Sequence, residues 1–245
     1  MKKDKYQKRF YREGNRFRDL FQAQVAVQET DLQILADRPL DKDFCKKRVG
    51  FYRRAIEGYV SRNPKFLVAL KPLAIEPAAP AIVKKMGVAA EKAGVGPMAA
   101  VAGAIAEFLG EDLLKKGYRE VIIENGGDIF LKIAKPRAIG IYAGSSMAFN
   151  RLYLKIAPRD TPLGICTSSA TVGHSLSFGL ADAAVILARD AALADAVATA
   201  SANRVKSKGD LEKALAFVRS VKGVSGAVII FKKYLISWGN ITLAA

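Results

Sequence analysis

Between residues 121 and 168 the chain is a succession of apolar segments, each too short for a stable helix and each followed by turn-forming residues: VIIE, DIFLKI, AIGIYA, LYLKIA and LGICTS. Runs of this length, rich in Ile, Val, Leu and Tyr and punctuated by Gly, Pro, Asn and Ser, predict strands rather than helices. The tightest junction is IIENGGDIFL, residues 122–131, where only Asn125, Gly126 and Gly127 separate two apolar runs. This centre of closely spaced strands constrains every other part of the fold, because each segment has to find a neighbour in a sheet.

The flanking sequence supplies further strands and the helices that cover them. Residues 19–36 alternate apolar and polar on both sides of Glu29-Thr30, and residues 225–240 place two apolar runs around Lys232-Lys233, so a hairpin is predicted near each end. Helical spacing runs from Asp41 to Arg62 and stops at Asn63-Pro64, after which Phe66 to Leu70 reads as a buried strand. Residues 81–93 and 97–116 read as two helices broken at Gly94-Val95-Gly96, with Pro97 suited to a first turn and Gly117 to a stop. Ala181 to Leu187 is a further strand, Asp190 an N-cap for an alanine-rich helix to Asn203, and Lys208 to Ser220 a last helix. Strands in hairpins with intervening helices predict one α+β domain over residues 1–245 with a mainly antiparallel sheet.

Charge narrows the partners. The net charge of +16 is concentrated in residues 1–65 and 204–245, and the middle is nearly neutral. The basic arm over residues 1–18 interleaves Tyr6, Phe10, Tyr11 and Phe17 with Lys and Arg, a pattern suited to stacking on nucleic acid. No nucleic-acid-binding motif accompanies it, so a solvated arm is the plainer reading and nucleic acid is not the expected partner. The longest uncharged apolar run, between Lys92 and Glu107, is shorter than the ~20 residues of a membrane helix, and no secretory pattern follows the first lysines. Two distant cysteines, Cys45 and Cys166, and one histidine argue against a Cys/His metal site and for a reducing, cytoplasmic setting.

Four motifs carry chemistry. Gly94, Gly96 and Ala99 spell GxGxxA, but a helical pattern precedes them where a dinucleotide fold needs a strand; the helix beginning at Pro97 still offers free N–H groups to an anion. Asn125-Gly126-Gly127-Asp128 is either a hairpin turn or a loop whose main chain a ligand touches, with Asp128 accepting from a hydroxyl or ring N–H. In the alanine-rich helix, Asp195 and Thr199 stand four apart on one face and could hold a hard cation such as Mg²⁺. The alternative for Asp195 is a buried carboxylate, which needs a partner. Residues 167–183, TSSATVGHSLSFGLADA, read as a ligand-lining loop with Thr167, Ser168 and His174; a triad of Ser168 or Ser169, His174 and Asp182 lacks a nucleophile-elbow pattern.

In this order, a glycine-bearing helix start, NGGDI, TS followed by a His, and ADAVAT resemble the ApbE-like family of flavin transferases, over residues 94–203. GPMAAVAGAIAE with ENGGDI and ADAVATA is similar to a cytoplasmic branch of that superfamily without a lipoprotein signal. The resemblance implies FAD or FMN held by Gly96, Asn125, Gly126, Gly127, Asp128, Thr167, Ser168 and His174, and Mg²⁺ held by Asp195 and Thr199. It also implies either transfer of FMN to a threonine of a target protein or hydrolysis of FAD to FMN and AMP. The sequence departs from that pattern in lacking the lysine of the family's GGIAKG segment, here GPMAAVAG, and its second histidine. A binder of a flavin-like ligand without turnover therefore stands beside the enzyme, and alanine-rich faces make a homodimer plausible.

Overall fold

The structure, a computed structural model, describes residues 17–141, 152–169 and 179–244. An eight-stranded sheet forms its middle layer. In sheet order the strands are β1 (Phe21–Val27), β2 (Thr30–Ala36), β3 (Val121–Asn125), β4 (Asp128–Lys132), β7 (Leu163–Ser168), β8 (Ala183–Ala188), β9 (Val224–Phe231) and β10 (Tyr234–Gly239). Every neighbouring pair is antiparallel. A second sheet of β5 (Arg137–Ile141), β6 (Leu152–Ile156) and β11 (Leu243–Ala244) covers one face, and the helices cover the other.

Coverage on both faces explains the unbroken apolar runs. Along β8, Ala184, Ile186 and Ala188 enter the helix-side core, whereas Ala183, Val185 and Leu187 enter the core beneath the small sheet. With period 2 and no face in water, alternation of apolar with polar residues has no reason to persist.

The helical layer contains α1 (Lys42–Arg62), α3 (Ala81–Ala93), α4 (Val101–Lys115), α5 (Ala191–Arg204) and α6 (Leu211–Ser220). Helix α3 ends at Gly94 with φ +72°, a left-handed stop that glycine takes without steric cost, and a 3-10 turn, Pro97–Ala100, leads into α4. The expected buried strand at Phe66–Leu70 is instead a single helical turn, α2 (Lys65–Val68), followed by extended chain. Pro64, with φ −58°, starts the turn and Phe66 alone is buried, while Leu67, Val68 and Leu70 are exposed. A short apolar run carries no periodicity that separates these two outcomes.

Helix α5 lies in the centre of this layer, and its residues are almost all buried. Alanine suits that position because α3, α4, α6 and the sheet approach it from different sides, leaving room only for small side chains. At Gly103 on α4, a Cβ would lie 2.3 Å from the Ala191 carbonyl oxygen, and at Gly164 on β7, one would lie 2.4 Å from the Ala191 Cα. Glycine at these two positions sets how closely α5 sits against α4 and β7.

Candidate functional site

The 125–128 turn is a two-residue hairpin. Asn125 pairs with Asp128, so Gly126 and Gly127 are the two central residues, with φ +69° and +103°. A type I′ turn requires positive φ at both positions, so both glycines follow from strand twist. Asn125 belongs to the end of β3 rather than to the turn, and its Nδ2 donates to the Ala102 carbonyl at 3.1 Å, tying the hairpin to the start of α4. The Gly127 N–H donates to Glu124. Space beside Gly126 is open: a Cβ there would meet nothing within 4 Å.

Turn geometry does not account for Asp128. It shares the helix-side face of β4 with Phe130, and that parity directs its carboxylate beneath α5. The residue is buried, and Oδ1 has no hydrogen-bond partner among the described residues. Burial raises its pKa well above the ordinary carboxylate range, and the nearby charges of Asp195 and Glu124 push the same way; the Cys166 thiol and the Thr167 main chain oppose this. Burial likewise drives the Cys166 thiol upward, as do Asp128 and Asp195, while its Sγ donates to the Ala191 carbonyl. An unsatisfied buried carboxylate oxygen is costly enough to call for a function.

Asp195 lies in the first half of α5 and is also buried. Its Oδ2 accepts from the Gly103 N–H at 2.9 Å, and the Ala102 N–H adds a second bond. Desolvation nevertheless pushes its pKa up to about 7, against those two hydrogen bonds. The free N–H groups expected at this helix start are therefore answered by the protein's own carboxylate, favoured there by the helix dipole. Thr199, half-buried, stands one turn further along α5.

The remaining predicted residues divide. Thr167 and Ser168, half-buried, end β7 beside the 125–128 hairpin, with the Thr167 carbonyl 3.8 Å from where a Gly127 Cβ would stand. Gly96 has a packing role: a Cβ there would lie 1.7 Å from the Ala69 carbonyl oxygen. His174 lies outside the described residues, as does most of the N-terminal arm. Asp182, the acid of the conceivable triad, accepts from the Lys232 main-chain N–H.

Sequence reading missed Glu107. This buried α4 residue accepts from the Ala191 and Ala192 N–H groups at 2.8 and 3.2 Å, and so caps the start of α5. Lys85 of α3 bridges Glu107 at 2.7 Å and Asp190 at 2.8 Å. Burial raises the Glu107 pKa, Asp190 adds to the rise, and Lys85 opposes it. Glu107 could have been noticed by the reasoning applied to Asp195, as a carboxylate in an apolar helix. The two helices are thus capped reciprocally, Asp195 of α5 answering α4 and Glu107 of α4 answering α5.

Among solved structures, this α+β architecture is shared with flavin transferases of the ApbE type. The flavin transferase ApbE from Vibrio cholerae aligns with a TM-score of 0.58 over 89% of this chain and 97% of that one, at 12% identity. The apo flavinyl transferase ApbE of Pseudomonas stutzeri gives 0.55 over 89% and 93%, at 13% identity. At such identities the likeness is one of fold. The family profile described as AbpE bacteria matches residues 12–232, and the chain belongs to that family. Its curated relatives include a UPF0280 protein of Methanocella arvoryzae, 41% identical over 219 residues and 89% of each chain. Another, from Methanocaldococcus jannaschii, is 40% identical over 220 residues, covering 86% of this chain and 88% of that one. Among the described residues, no single helix is long and apolar enough to cross a membrane.

Proposed function

We propose that this chain binds a flavin nucleotide, FAD or FMN, at the rim where the 125–128 hairpin meets α4 and α5, with Mg²⁺ as the accompanying cation. The observation that carries the reading is the buried Asp128 Oδ1, which lacks a hydrogen-bond partner among the described residues, next to the open space at Gly126. The ApbE-type fold supports it, since the neighbours of that fold are named for flavin transfer.

The donor chemistry suits Mg²⁺ in that Asp195 and Thr199, four apart on one helix face, carry hard oxygen atoms. The ion would neutralise diphosphate charge during phosphoryl transfer. Asp128 would accept from a ribose hydroxyl or ring N–H, or donate to an acceptor when protonated, as its raised pKa allows. Gly126 would let the ligand lie against the turn, and Thr167, Ser168 and His174 would line its wall. The reaction would be transfer of FMN to a hydroxyl of a target protein, or hydrolysis of FAD to FMN and AMP.

A second reading, ligand retention without turnover, is favoured by the engagement of Asp195 with Ala102 and Gly103 and by the absence of a lysine from 96–103. Melting of the protein with and without FAD and Mg²⁺, for wild type, Asp195→Ala and Asp195→Asn, tests both. A magnesium-dependent rise in melting temperature that is lost in both variants supports the site, and release of FMN and AMP then separates enzyme from binder. An unchanged wild-type melting temperature at saturating FAD and Mg²⁺ would refute the reading.

A further inference from the structure

A second concave site lies at the same end of the large sheet. Residues 206–208 and the β9–β10 turn border an open cavity of about 570 Å³, where Lys206, Lys208, Lys232 and Lys233 stand around Ser207, Phe231 and Tyr234. Its size falls in the range of small-molecule sites. Two of its ammonium groups are held against one ring: Lys208 Nζ lies 4.3 Å from the Tyr234 ring centroid, and Lys233 Nζ 5.8 Å. Attraction to the ring face limits their swing and keeps both at the cavity.

The nearby carboxylates are engaged by main-chain N–H groups. Asp210 accepts from the main-chain N–H groups of Lys206 and Ser207 and from the Ser207 hydroxyl. Asp182 is occupied by the Lys232 main chain. Among the described residues, none of Lys206, Lys208 and Lys233 forms an ion pair with a carboxylate. Converging cations in a concave site raise the local concentration of anions.

Strand register fixes where the cavity stands. Ser168 pairs with Ala184, Ala183 with Ile230, and Phe231 with Tyr234, so the end of β7 and the β9–β10 turn lie on one rim. Two to three strand spacings separate them, roughly 10–14 Å.

We infer that this cavity is an anion site for a phosphate-bearing small molecule. Lysine ammonium groups act on phosphate as point charges and need no planar fork, and a lining confined to residues 206–208 and 231–234 suits a compact ligand better than an extended polyanion. The inference stands independently of the flavin reading.

Inorganic pyrophosphate, titrated calorimetrically into the full chain without divalent cation, tests it. Lys206→Gln/Lys208→Gln/Lys233→Gln removes three exposed charges at the cavity, and Lys42→Gln/Lys46→Gln/Lys47→Gln removes three exposed charges on α1. The expected result is saturable wild-type binding, weakened about tenfold or more by the first triple and little changed by the second. Equal weakening by both triples, equal binding of sulfate at matched ionic strength, or no saturable binding at millimolar pyrophosphate would overturn the inference. In the sulfate case the cavity would hold an adventitious ion only.

Discussion

Replacing Gly103 with alanine tests the close contact on which the site depends. The new Cβ would lie 2.3 Å from the Ala191 oxygen, 2.8 Å from its carbonyl carbon and 2.9 Å from the Asp195 Cβ. Two of these atoms are backbone of a buried helix and have no rotamer by which to move aside, so α4 and α5 would have to part by about 1 Å to restore ordinary contact. Overpacking of this kind costs about 1–3 kcal/mol, and weakening an N–H bond to a buried carboxylate adds up to about 2 kcal/mol. Relief of glycine's helix penalty returns about 1 kcal/mol, leaving a net loss of up to about 4 kcal/mol, with about 2 kcal/mol at the middle of the range. For a chain of this size the mid-range loss is a fall in melting temperature of roughly 4–8 °C.

The matched control is Gly58→Ala in α1, where a Cβ would meet nothing within 4 Å. There only the propensity gain remains, and the melting temperature should rise by about 2–4 °C. Thermal unfolding followed by circular dichroism, with urea midpoints alongside, reads both variants. A Gly103→Ala protein that melts at or above wild type would refute the account of how α4 and α5 meet.

Two other outcomes are expected. Lys85→Met should destabilise by about 2–4 kcal/mol, because it leaves Glu107 and Asp190 facing each other unneutralised. Urea unfolding should show part of that loss recovered in Lys85→Met/Glu107→Gln, and no recovery would mean that repulsion is not the cause. The Asp195 carboxyl, raised to about 7, holds its proton in the folded chain at pH values where the unfolded chain has lost it. Stability from this group is therefore fully present below the ordinary carboxylate pKa and declines as pH rises towards about 7. Urea midpoints between about pH 5 and pH 8 should fall less steeply in Asp195→Asn than in wild type, and identical slopes would show that Asp195 does not titrate in that range.

Local chemistry was legible in the sequence where a cap, a turn or an alternation marks it, and not in the short apolar run Phe66–Leu70, which carries no such mark. Gly94 as a helix stop, Asp190 as an N-cap, the two terminal hairpins and the short central strands all follow from patterns a few positions long. Separation of β5, β6 and β11 into their own sheet was not legible, because that depends on pairing Leu243 with Leu154 across most of the C-terminal half. The site shows the same division. Asp195 was conspicuous as a carboxylate among alanines, but its bond to Gly103, 92 positions away, could not be read. In the hairpin motif the sequence left a turn and a binding loop as alternatives; with Gly126-Gly127 as the central pair, turn geometry accounts for both glycines and Asp128 is left as the residue in need of explanation.

The reciprocal caps bear on how this protein can be recombined. Each of α4 and α5 carries within its own sequence the acid that the other needs at its start. A chimera that takes α4 from a relative without an acid at the position of Glu107 would leave the Ala191 and Ala192 N–H groups unanswered, even if the apolar faces fitted. Residues 101–115 and 191–204 thus depend on one another across two distant stretches of chain, and a crossover between them should survive only when the incoming helix brings an acid at the position of the one it replaces.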